Sequence, residues 1–178
     1  MSLSRKAGLR RLTCAAVCLA LCLVLPFATG QIPQIGSMLC PMHLPVLLAG
    51  FLCGPVWAGA VGLVAPLLRH ALFVMPQFPT AFAMSAELLA YGVFTGVFYR
   101  LLPKKRSNIY LSLILAMLLG RAVWGLAMVV ILRASGGAFT WAAFAAGAFT
   151  TALPGIAVQL ILIPLLVMAL ENARLIER

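Results

Sequence analysis

The chain has no aspartate and only three glutamates against thirteen lysines and arginines. Charged residues make up 9% of it, too few to solvate the surface of an ordinary soluble domain. With no aspartate, little remains for a carboxylate proton relay or an intramembrane aspartyl protease. No G-x-x-x-x-G-K-[ST] loop occurs, so the chain cannot hydrolyse ATP alone. H-E-x-x-H and G-x-S-x-G are missing too. The five cysteines, Cys14, Cys18, Cys22, Cys40 and Cys53, form no C-x-x-C pair. They read as small helix-face residues rather than as a metal or redox centre, and no cofactor is implied. Heptads, low-complexity stretches and long polar segments are also lacking.

What the chain does have is grease. Of its 178 residues, 64% are hydrophobic, and mean hydropathy is +1.12. That composition reads as membrane. A hydrocarbon core about 30 Å thick needs roughly 20 apolar helical residues. Six segments qualify or nearly do: 12–28, 39–53 (short), 56–74, 80–101, 109–132 and 141–170. The expected fold is therefore all-α, a six-helix integral membrane bundle forming one domain over 1–178. Pro26, Pro33, Pro41, Pro55, Pro76, Pro79 and Pro103 mostly punctuate the joints between spans. Gly54-Pro55 makes a tight turn, so the second and third spans should be antiparallel neighbours. Pro45, Pro66, Pro154 and Pro164 fall inside spans and should kink them, leaving carbonyls for neighbouring helices to satisfy.

Orientation follows from the basic residues. With the N-terminus inside, Arg5, Lys6, Arg10, Arg11, Arg100, Lys104, Lys105, Arg106, Arg174 and Arg178 are all cytoplasmic, ten of the thirteen. This bias requires an even number of spans and puts both termini in the cytoplasm. The net charge of +10 thus belongs to topogenic loops, and no aromatic-interleaved basic stripe suggests nucleic acid. Residues 1–30 also have the outline of a signal peptide ending at Ala28-Thr29-Gly30. Its removal would leave five spans and an unbalanced charge count, so the segment is read as the first span.

Arg69, Glu87 and Arg121 lie within the apolar spans, where charge is expensive and commonly faces a cavity. Given the topology, Arg69, His70, Glu87, Arg121 and Trp124 converge with His43 on the outer leaflet and midplane. Gln159 lies deeper. Glu87 can neutralise Arg69 or Arg121 as an interhelix lock, but one acid cannot absorb both. The surplus positive charge needs an anionic ligand or backbone carbonyls. His43 and His70 can be packing histidines or ligand contacts, and Tyr91 and Trp124 can pack or stack on a flat ring. Gly50-x-x-x-Gly54 and Gly92-x-x-x-Gly96 should mark close helix contacts. Ala16-x-x-x-Ala20 makes a smooth stripe on the first span, suited to packing or to docking another membrane protein.

Several stretches carry a family resemblance: Pro41-Met42-His43-Leu44-Pro45-Val46-Leu47-Leu48, Gly50-Phe51-Leu52-Cys53-Gly54-Pro55, Gly59-x-x-Gly62-x-x-x-Pro66-Leu67-Leu68-Arg69, Glu87-Leu88-x-x-Tyr91-Gly92 and Gly120-Arg121-x-x-Trp124-Gly125. With six short spans and a re-entering first loop, they resemble the substrate-binding S components of energy-coupling factor (ECF) transporters. The resemblance implies a micronutrient bound in an outward-facing pocket under a loop lid at about 29–41. It implies docking through Ala16 and Ala20 on a transmembrane coupling subunit driven by two ATPases, in a prokaryotic plasma membrane. The cargo does not carry over, since relatives bind chemically different vitamins; the surplus positive charge favours an anionic one. Two rivals remain on the residues alone. One is a structural or assembly subunit with the charges as locks, and the other is an intramembrane enzyme, poor in nucleophile–base pairs.

Overall fold

The computed structural model describes residues 3–29, 32–103, 105–138 and 140–173. Lys104, Arg174 and Arg178, on which the charge count partly rests, lie outside the described residues, as do Gly30 and Gln31 of the expected lid. All regular structure among the described residues is helical. The order is α1 (Leu3–Ala28), α2 (Pro33–Leu39), α3 (His43–Cys53), α4 (Pro55–Phe73), α5 (Thr80–Leu101), α6 (Arg106–Ala134), α7 (Trp141–Ala145), a π-helical turn (Ala146–Thr150) and α8 (Leu153–Asn172). Six helical stretches are long and apolar enough to cross a membrane.

Two spans are broken rather than continuous. Pro33 opens α2, where its missing N–H and fixed φ suit the first helical turn. Cys40 closes it in the left-handed region (φ 48°), its N–H bonded to Gly36 O at 2.9 Å. Thus the second span runs from Gln34 to Cys53 with a bend in it, and the expected lid is largely a helix. The sixth span is made of α7, the π turn and α8 in succession, with Thr151 and Ala152 between the last two. Pro45 and Pro154 sit in the first turns of α3 and α8, where proline is tolerated, so they start helices rather than kink them. Pro66 and Pro164 do lie inside helices, and so does Pro26, which was expected at a joint.

The packing centre is α5, which lies against α3, α4 and α6, while α1 covers α3 and α4. Glycines set the α4–α5 distance. A Cβ on Gly62 would strike the Leu88 carbonyl, and one on Gly92 would strike the Ala58 carbonyl. At the α3–α4 joint Gly54 has φ 84°, ψ 177°, a conformation open in practice to glycine alone. The Arg100 guanidinium fills the space its side chain would need. On α1, Cys18 and Cys22 are buried and Cys14 is half-buried toward the core, whereas Ala16 and Ala20 are exposed. All five cysteines are free thiols.

Candidate functional site

Two groups of polar residues stand at the two ends of the bundle. At the end where α5 finishes, Tyr99 donates to Glu171 Oε1 at 2.7 Å and sits edge-on to Phe51. At the other end lies a cavity of about 610 Å³. Its roof is α2 and the bend after it, through Gln34, Ser37 and Cys40. Its walls bring together His43 from α3, Arg69 from α4, Met84 and Glu87 from α5, Arg121 and Trp124 from α6, and Gly147 and Thr151 from the π-turn region.

Glu87 is 2% exposed and holds one side of this space. Its Oε1 lies 2.9 Å from Arg121 Nη1, and its Oε2 lies 3.4 Å from His43 Nε2. Three helices therefore meet on one carboxylate. Gly120 makes the approach of α6 possible, because a Cβ there would overlap the Tyr91 ring. Tyr91 is fully buried one turn below Glu87 and packs edge-on against His43, with centroids 5.3 Å apart. Arg121 Nη2 also reaches Cys40 Sγ at 3.7 Å. The pair is thereby tied to the residue where α2 bends into α3.

Arg69 is buried as deeply but held differently. Its Nη1 donates to the Leu23 carbonyl of α1 at 2.5 Å. Phe27 and Phe73, edge-on to each other, lie 5.0 and 5.1 Å from the guanidinium carbon, a cation–π distance. Among the described residues no carboxylate reaches it.

Of the eight side chains singled out from the sequence, five stand on the cavity wall: His43, Arg69, Glu87, Arg121 and Trp124. The other three stand off it. Tyr91 supports His43 from behind. His70 Nδ1 donates to Pro76 O at 2.7 Å and so fixes the α4–α5 loop. Gln159 is buried in α8 with no partner for its amide among the described residues. Sequence reasoning missed Cys40 as a partner of Arg121, and it expected a loop over 29–41 where the roof is largely the helix α2. Pro33 was the available signal for the latter, since proline at a first helical position marks a start. For Cys40 no signal existed, because a left-handed cysteine is not legible from composition. The π turn was equally hidden. A Cβ on Gly147 would press on the Trp124 ring, so the widened turn seats that indole.

Fold and site together define a polytopic helical membrane protein built around a small-molecule-sized cavity with charged walls. The profile of the family described as ECF transporter, substrate-specific component, matches residues 10–167, and the chain belongs to this family. No curated protein and no solved structure matches the chain. It is thus a substrate-specific membrane subunit of an ECF transporter.

Proposed function

We propose that this subunit captures a vitamin or related micronutrient from outside the cell and hands it to a coupling subunit and two ATPases, in the plasma membrane of a prokaryote. The observation that carries this reading is the 610 Å³ cavity. Its volume is that of a small-molecule site, and its mostly apolar wall holds a few fixed polar groups, as such sites do. In this reading His43, Arg69, Glu87, Arg121 and Trp124 are the wall that meets the cargo, with Tyr91 behind them. The roof helix α2 closes over it. The N-terminus lies inside, so the cavity opens outward, and the exposed Ala16/Ala20 stripe of α1 meets the coupling subunit. The Glu87–Arg121 pair by itself would serve equally well as a lock in an assembly subunit, but such a subunit has no use for the adjoining void.

The test is native mass spectrometry of the purified chain. A retained metabolite, lost on filling the cavity with Ser37→Trp, is the expected result. Protein that retains nothing, and that no micronutrient stabilises, would move the reading to an assembly subunit.

A further inference from the structure

The charges around the cavity do not cancel. The wall holds two guanidinium groups and one carboxylate. Glu87 is committed to Arg121 at 2.9 Å, and that arginine's other terminal nitrogen reaches Cys40. Among the described residues, Arg69 has one hydrogen-bond acceptor, the Leu23 carbonyl, and the rings of Phe27 and Phe73, none of which carries a negative charge. A guanidinium carries five N–H donors. Among the described residues, the bond to Leu23 aside, no hydrogen bond engages the other Arg69 nitrogens, and Arg69 is part of the cavity wall. Glu87 cannot reach it, Glu171 sits at the opposite end with Tyr99, and Glu177 lies outside the described residues.

A cation that is 2% exposed, in a chain this apolar, is expensive without a counter-charge. The missing charge amounts to one. A dianion such as a phosphate monoester would overshoot and leave a negative charge in low dielectric. A carboxylate matches both the charge and the planar donor fork of arginine. We infer that Arg69 is the anion subsite of the cavity and that the cargo is a monocarboxylate. This rests on the cavity being the cargo site. Arg121 is then a positioning residue, which holds Glu87 and the roof bend and does not touch the ligand's acid.

The experiment uses the full chain, stripped of ligand in detergent. The probes are pantothenate and biotin as free acids and as their methyl esters, with riboflavin and thiamine as carboxylate-free compounds. Affinity is read by calorimetry and by ligand-induced thermal stabilisation. The expected result is that one free acid binds, its ester binds at least about thirtyfold more weakly, and Arg69→Gln weakens the acid to a similar degree. Arg69→Lys should recover part of the loss, because it keeps the charge without the fork. The acid–ester comparison needs no variant, so it stands even where Arg69→Gln fails to fold. An ester that matches its acid, or tight binding of riboflavin or thiamine, overturns the inference. So does Arg69→Gln with unchanged affinity. Each of these leaves the cavity a cargo site. If no probe binds, the compound retained through purification decides. A carboxylic acid missing from Arg69→Gln supports the inference, and a compound without a carboxylate overturns it. Retention of nothing overturns the cargo reading itself, and this inference with it.

Discussion

Replacing Glu87 with glutamine keeps the shape of the site and removes its one negative charge. The Arg121 guanidinium would then be buried against a neutral amide, with the Cys40 sulfur at 3.7 Å as its one further acceptor among the described residues. Both partners are nearly enclosed, at 2% and 7% side-chain exposure, so solvent screening gives little relief. Breaking a buried pair from one side costs about 3–5 kcal/mol. For a chain of this length each kcal/mol moves the midpoint by roughly 2–4 °C, so Glu87→Gln should lower Tm by about 6–20 °C. Removing both charges should cost much less, since an apolar replacement of a buried pair is often neutral. Glu87→Gln with Arg121→Met should therefore recover at least half of the loss. The assay is size-exclusion chromatography of heated, ligand-free protein in detergent, with the two singles and the double variant forming a cycle. A single variant as stable as the parent, or a double variant that simply sums the singles, would refute the reasoning.

Gly62→Val sets a branched side chain against the Leu88 carbonyl, a group that cannot move without α5, and should abolish monodisperse protein. Gly8→Ala is its control: nothing lies within 4 Å of that position, so yield should hold and stability should stay level or rise slightly. Tyr99→Phe removes the 2.7 Å bond to Glu171, which should cost about 1–2 kcal/mol in a melt while ligand retention stays unchanged. Ala16→Trp and Ala20→Trp, on the exposed face of α1, should block co-purification with a coupling subunit and leave folding and ligand binding intact.

The spans were legible because twenty apolar residues in a row have one economical use. Both places where the reading simplified the helices, at Cys40 and at Ala146–Thr150, depend on backbone conformations that the residue types do not announce. The glycine seams were legible as close contacts, but not their partners: Gly92 meets the Ala58 carbonyl, whereas Gly50 meets the Thr95 side chain. The charges stood out for the same reason as the spans, but their partners did not. At the resolution of helical depth, Arg69 and Arg121 are equally near Glu87. The choice falls to Gly120, whose missing side chain lets α6 close on Tyr91 and carries Arg121 to the carboxylate. The partner of Arg69 is a main-chain carbonyl, and carbonyls are anonymous in a sequence. Arg69 reaches across from α4 to that carbonyl in the turn of α1 that precedes Pro26.

From this asymmetry the two arginines should separate by experiment. Arg121 spends its charge inside the protein, on Glu87 and on the bend beneath the roof helix. Its loss leaves a buried carboxylate facing a histidine 3.4 Å away, so Arg121→Ala should first appear as lost stability. Arg69 gives one N–H to a neutral carbonyl, lies against two aromatic rings and lines the cavity, and in the proposed reading its charge is left for the cargo. Its loss removes a cost from the empty protein and an attraction from the filled one. Arg69→Gln should therefore melt no lower than the parent without ligand, and gain less from ligand when it is present. Reversed behaviour, with Arg69 needed for folding and Arg121 for affinity, would mean that the surplus charge has been assigned to the wrong helix.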